Sequence, residues 1–362
     1  MINLNIAHRR LHNQHITRRT LETPQTLVEW LGAVQAQDFA AAKWALGLRL
    51  QGATDDDIEQ AFTDGAILRT HAMRPTWHFV SPADIRWLLA LTAPRVHAAN
   101  ANWYRKLELD DATVRRCNET LANALQGGKQ LTRDELASAL QQAGIVTEGE
   151  QRVSYIVMRA ELDGIICSGA RLGKQFTYAL LAERAPQART LDRDEALAEL
   201  TLRYFTSHGP ATVQDFVWWS GLTVADARAG LAMVTSHLLY ETIGGQTYWF
   251  PPSTPPEQDL SQTAYLLPNY DEYTVGYTDR SAIFDALHTN KLDQREGLLT
   301  NAMVLDGQIV GIWKRTFQKN TVVIEAKPFV PLSTTENRAF TASANRYGEF
   351  LQRSVKAAFQ VE

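Results

Sequence analysis

Near the N-terminus the apolar positions recur at helical spacing: Leu27, Leu31 and Val34 fall on one face, and residues 26–64 read as three short helices. The pattern then changes. From Leu68 to Val80 the chain takes on strand character around Arg74-Pro75, so a hairpin follows the three helices, which is the layout of a winged helix. Ser81-Pro82-Ala83-Asp84 opens a further helix through about Asn100, with Pro82 at the first helical position.

The same order recurs twice. Asp111 to Leu125 is helical, Thr132-Arg133-Asp134-Glu135 begins a second helix with a capping box, and Glu150 to Leu162 makes a third. Ile165 to Leu180 reads as its hairpin, and Arg184 to Arg189 as a linker. In the third copy Asp192 to Ser207 is a helix, Thr212 caps another through Trp219, and Thr223 to Val234 takes the recognition-helix position. Leu238 to Phe250 is its hairpin, turning at Gly244-Gly245. Pro251 to Pro256 reads as a proline-rich linker. Beyond it the pattern is largely β, with Tyr265 to Pro268, a hairpin over Asn301 to Val310, and a pair at Gly311 to Phe317 and Thr321 to Ala326. Ser333 and Glu336 form a capping box for a terminal helix carrying Phe350, Leu351 and Val355. The expected fold is therefore α+β: three tandem winged-helix units at 1–100, 101–185 and 190–252, then a small C-terminal β-barrel-like domain with a terminal helix at 260–362.

Composition narrows the function classes. The 362 residues allow several compact units. No stretch has the length of an apolar membrane span and the N-terminus lacks a signal-peptide core, so a cytoplasmic protein without membrane contact is expected. Cys117 and Cys167 make neither a metal set nor a disulfide framework. A net charge of −4 excludes coating of nucleic acid by bulk charge, leaving local basic patches on a mildly acidic body.

The chemistry concentrates at Gly32-Ala33-Val34-Gln35-Ala36-Gln37-Asp38, where one helix runs in and Asp38 is placed to cap the next. Two residues apart on a helix point about 200° apart, but in a non-helical joint Gln35 and Gln37 can converge. Together they offer two carbonyl acceptors and two amide donors without charge, which suits holding a water, reading a base edge or bonding backbone. Taken alone, the bland reading is two glutamines solvated or capping a helix end.

Their surroundings favour nucleic acid. Arg9, Arg10, Arg18 and Arg19, with His8, His12 and His15, all precede the first acidic residue, and the first hairpin carries Arg69, His71, Arg74, Trp77 and His78. Lys314, Arg315 and Lys319 are expected to cluster at the tip around Gln318-Lys319-Asn320. The competing reading makes each charge run a solvated face, Trp77 and Phe79 core, and either histidine a backbone-bonded core residue.

Several blocks in order resemble the AlkZ-like DNA glycosylases, a winged-helix family that includes the YcaQ type. They are Val34-Gln35-Ala36-Gln37, Leu68 to His71 with Trp77-His78, Leu266-Leu267-Pro268-Asn269-Tyr270-Asp271-Glu272-Tyr273, Gly276 to Arg280, and Asp306 to Trp313. The resemblance covers nearly the whole chain. It implies three tandem winged helices with a C-terminal β-barrel, and excision of bulky N7-alkylated purines, sometimes from interstrand crosslinks, in double-stranded DNA. The family's Gln-x-Gln motif maps onto Gln35 and Gln37; the YcaQ type has an acidic residue at the second position, so this chain resembles the AlkZ side. No metal or organic cofactor is implied, and a monomer is expected. The alternatives are a non-catalytic winged-helix DNA-binding regulator, since three such units suffice for that, and a protein-binding scaffold in which Gln-Ala-Gln merely caps helices.

Overall fold

A computed structural model describes residues 2–149, 151–253, 263–292, 297 and 300–359. The chain opens with a helix that the basic reading of its first residues did not anticipate, α1 (Ile2–Asn13), which buries Ile6, Ala7 and Leu11. The first repeat follows as α2 (Pro24–Leu31), β1 (Val34–Gln35), α3 (Phe39–Arg49), α4 (Asp55–Asp64), β2 (Leu68–Ala72) and β3 (Thr76–Val80). Side chains of Thr23, Asp38 and Thr54 accept from backbone N–H groups at the starts of the three helices, satisfying donors the helix leaves free. The strands pair in the order β1-β3-β2. Helix α5 (Ile85–Lys106) starts three residues later than the Pro82 signal indicates and runs past Asn100. Ser81 to Asp84 forms a turn in which Asp84 caps nothing, because its carboxylate is taken by the Trp87 indole, Arg189 and Arg203.

The second repeat is α6 (Asp111–Leu125), β4 (Leu131–Thr132), α7 (Arg133–Gln142), α8 (Arg152–Leu162), β5 (Ile166–Ser168) and β6 (Thr177–Leu180), with sheet order β4-β6-β5. The expected helix start at Glu150 lies outside the described residues. A single turn, α9 (Leu181–Arg184), leads to the third repeat: α10 (Arg193–His208), α11 (Val213–Ser220), α12 (Val224–Val234), β7 (Leu239–Ile243) and β8 (Gln246–Phe250). Here the first strand shrinks to a single bridge between Ala211 and Trp249. The β7–β8 turn needs Gly244 (φ 58°) and Gly245 (φ 80°), a left-handed pair that side chains disfavour. Of the expected proline linker, residues 254–256 lie outside the described residues.

The C-terminal part comprises β9 (Ala264–Leu267), the short α13 (Glu272–Val275), β10 (Ala302–Leu305), β11 (Gln308–Gln318), β12 (Thr321–Pro328), α14 (Thr334–Phe350) and β13 (Ser354–Phe359). Its five strands pair in the order β13-β12-β11-β10-β9. Among the described residues β9 and β13 do not pair, so the sheet is open with α14 laid against it rather than a closed barrel. Val355, expected on the terminal helix, lies instead in β13, which runs parallel to β12. The helix stops at Phe350 because the chain reverses at Gln352, where φ is 54°.

The hydrophobic core crosses these divisions. Residues of α1 to α4 and of the C-terminal sheet share one cluster, in which the Trp44 indole donates to Leu266 O at 2.8 Å and packs against the tilted Tyr347 ring at 4.9 Å. The first hairpin, α5 and the third repeat share a second cluster, and the second repeat has its own. The first repeat is thus clasped on several sides.

Candidate active site

The Gln-Ala-Gln segment is extended rather than helical. Helix α2 ends at Gly32, then Val34 pairs with Phe79 and Gln35 with His78. Ala36 continues the ladder by donating to Trp77 O at 2.7 Å. Along an extended chain residues two apart face the same side, so Gln35 and Gln37 are neighbours. The Gln37 N–H points at Gln35 Oε1, 3.4 Å away. Gln35 is 7% exposed, whereas Gln37 stands open to solvent. Asp38 is occupied as a cap: its Oδ1 accepts from Ala41 N–H at 3.0 Å and its Oδ2 lies 3.3 Å from the Asn269 amide nitrogen.

Directly behind Gln35 lies a buried carboxylate. Glu272, 1% exposed, accepts from Gln35 N–H at 2.8 Å, from the Trp219 indole at 2.9 Å and from His208 Nε2 at 3.3 Å. Burial pushes this carboxyl up, but the His208 bond and the Gln35 N–H outweigh it and hold it below the ordinary range, so it is anionic at neutral pH. Burial lowers His208, whose ring stacks on Tyr204 at 4.8 Å. Adjacent Asp271 binds Arg49 through both oxygens at 2.7 and 2.8 Å, and the Tyr273 hydroxyl donates to Gly307 O at 2.8 Å. The block Asp271-Glu272-Tyr273 thereby ties the glutamine strand to α3, α10, α11 and the C-terminal sheet. No sequence signal marks His208 or Trp219, whose roles depend on a partner more than fifty residues away.

The expected DNA contacts separate into two groups. Four are turned inward. Arg10, 1% exposed, donates to Pro210 O at 2.9 Å and covers the Tyr277 ring at 3.6 Å. Arg69 donates to Ala36 O at 3.0 Å between the Trp77 and Phe176 rings. His71 bonds buried Glu161 through Nδ1. His78 bonds Thr76 O at 2.9 Å, and burial followed by the Arg74 charge brings it down to about 3, so it stays neutral. Their burial removes these four from any simple phosphate-contacting surface, and Arg10, Arg69 and His78 hold backbone instead.

The rest are more open. Arg18, Arg19, Lys314 and Lys319 are exposed; Arg74, Trp77 and Arg315 are half-buried; and Arg9 is engaged with Glu241 at 3.1 Å. The C-terminal cations do not cluster at one tip. Lys314 pairs across the ladder with Glu325, four pairs before the ladder ends at Gln318 and Thr321, and neighbouring Arg315 points to the opposite face over Tyr347. Only Lys319 sits in the turn, at φ 41°. Sequence reasoning also passed over Trp218, 41% exposed, which has the Arg74 and Arg280 guanidinium groups 5.8 and 5.7 Å from its ring.

Comparison with known proteins fits this geometry. A family model described as DNA glycosylase AlkZ-like matches residues 28–350. The interstrand DNA cross-link repair glycosylase of Streptomyces sahachiroi is 25% identical over 328 residues, covering 86% of this chain and 88% of that protein. The solved structure of Streptomyces sahachiroi DNA glycosylase AlkZ overlays 98% of this chain and 99% of its own at a TM-score of 0.81 and 22% identity, a likeness of fold. Because the family model spans most of the sequence, the chain belongs to the AlkZ-like DNA glycosylase family.

Proposed function

We propose that this chain is a monofunctional DNA glycosylase that hydrolyses the N-glycosidic bond of N7-alkylated purines in duplex DNA, bulky or crosslinked adducts included. Gln35 and Gln37 place the attacking water. The observation that carries this reading is the same-face glutamine pair on a strand backed by the buried anion of Glu272.

The chemistry requires little more. N7 alkylation makes the purine a cationic leaving group, so the bond to the sugar is already weakened. What remains is to hold a water against a sugar that develops oxocarbenium character. The side-chain carbonyls of Gln37 and Gln35, each in one long backbone N–H contact and with a second lone pair to offer, supply acceptors for the water's protons, and a strong base is unnecessary. Glu272 fixes β1 through the Gln35 backbone and adds negative potential behind the site.

The three repeats act as winged helices over 1–100, 101–185 and 190–252, with the C-terminal sheet region over 260–362 as the fourth part. Arg9, Arg18, Arg19, Arg74, Trp77, Lys314, Arg315 and Lys319 follow the duplex backbone, while Arg10, Arg69, His71 and His78 shape the scaffold. The enzyme works as a monomer where chromosomal DNA lies, in the cytoplasm.

Single-turnover cleavage of a duplex with one N7-methylguanine tests the reading. Gln35→Ala and Gln37→Ala should each lower the rate by about 10²–10⁴ with duplex binding largely kept. Failure of the wild type to release base from this or a bulkier N7 adduct, with equal binding to undamaged duplex, would leave a non-catalytic DNA-binding protein.

A further inference from the structure

A cavity of about 390 Å³ opens between the β2–β3 hairpin, α5 and α8, one residue from the glutamine strand. It connects to the site through the backbone of Trp77, whose carbonyl accepts from Ala36 N–H, whose N–H lies 3.5 Å from Gln37 Oε1, and whose ring forms part of the cavity wall. The lining is aromatic on two sides. The His71 and Trp77 rings meet at 4.2 Å, tilted by 42°, and across from them Trp103 stacks on Tyr155 at 5.6 Å and 26°. Trp103 is 38% exposed, an unusual position for so large an apolar ring.

Polar groups are sparse and specific. Asn100 is 6% exposed; its side chain hydrogen-bonds Tyr104, and its amide nitrogen lies 3.9 Å from the Met158 sulfur in the cavity wall. Glu161 holds His71 by Nδ1, and among the described residues Nε2 has no hydrogen-bond partner. Exposed Arg133 stands at the rim. Aromatic walls, a few convergent polar atoms and a rim cation describe a site for a flat heteroaromatic ring joined to a phosphate-bearing chain. The size fits one such ring system rather than a peptide or a duplex.

We infer that this cavity is a subsite for a planar aromatic group of nucleobase size, taken up while Gln35 and Gln37 act on the glycosidic bond. The inference rests on the glycosylase reading above. The ring is either an aromatic substituent carried on N7 of the purine or the purine itself turned out of the stack.

The experiment compares wild type, Trp103→Ala and Trp103→Phe on duplexes carrying N7-methylguanine or N7-benzylguanine, with 2-aminopurine beside the lesion to report opening of the stack. If the adduct's ring fills the cavity, Trp103→Ala loses about tenfold on the benzyl substrate alone, and Trp103→Phe restores most of it. If the base itself enters, both substrates lose alike and the rise in 2-aminopurine fluorescence is lost with them. Equal cleavage of both substrates by wild type and Trp103→Ala overturns the subsite and leaves the glycosylase reading intact. Free 7-benzylguanine, titrated against intrinsic tryptophan fluorescence, reads the cavity without catalysis. Quenching in wild type that Trp103→Ala abolishes supports the subsite even where no base is released, and no quenching in wild type overturns it.

Discussion

In the second repeat the strand runs straight into its helix, and Thr132 serves as both last strand residue and N-cap. The third repeat does the same with the bridge at Ala211 followed by the cap at Thr212. The first repeat has the same sheet order as the second but inserts Ala36 and Gln37 between the strand and its cap, Asp38. Those two residues keep the chain extended for one more pair of positions, enough to align two side chains on one face. The contrast extends underneath. Thr132 sits opposite Thr177, a neutral pair, whereas Gln35 sits opposite His78 with a buried carboxylate bonded to its backbone. A topology used three times thus becomes a presenting site once, through a two-residue extension and an ionic support.

The sharpest way to break this contrast is to remove the support. Glu272→Ala leaves three buried donors without an acceptor and should cost about 3–5 kcal/mol in urea unfolding. Cleavage should fall as well, and Glu272→Gln, which keeps the shape, should lose less stability. If Glu272→Ala unfolds like wild type, the first junction needs no anchor and the contrast fails.

Acid should expose the same asymmetry more gently. His78 is neutral in the folded protein down to about pH 3, while in the unfolded chain it takes up a proton near 6.5. The unfolded state therefore binds more protons between these values, and stability falls as pH drops below 6.5. At pH 5 the loss from this residue is about 2 kcal/mol, and His78→Phe should flatten that part of the profile of unfolding free energy against pH. A wild-type profile level from pH 7 to 5 would count against the buried neutral imidazole.

The smallest effect belongs to the plain junction. Thr132→Ala removes a cap and should cost about 1 kcal/mol with the cleavage rate unchanged. A rate loss comparable to that of Gln37→Ala would mean the second repeat contributes more to the site than its geometry indicates.

Much of this was readable in the sequence because it is written locally. The caps at Asp38, Thr132, Thr212 and Ser333 and the glycine turn at 244–245 depend on neighbours three residues away or fewer, and each lies where its residue types indicate. The non-helical joint at Gln35 and Gln37 was legible for the same reason. What was not legible depends on distant partners. Arg10 looks like part of a basic surface until Pro210 and Tyr277, about two hundred and more residues on, enclose it. His78 fits the backbone-bonded core reading that stood beside the nucleic-acid one, whereas the tie from His71 to Glu161 crosses ninety positions that no local pattern joins. The open C-terminal sheet escaped notice because β13 is a six-residue strand whose pairing with β12 no local pattern announces.

The bond from Gln35 to Glu272 spans 237 positions, and its consequence appears during synthesis. At about 5–20 residues per second a ribosome needs roughly 12–47 s to travel from the glutamines to the carboxylate that braces them. For that interval the nascent chain carries its glutamines without their brace. A chain released early, anywhere before residue 272, would carry Gln35 and Gln37 on a strand with no carboxylate behind it.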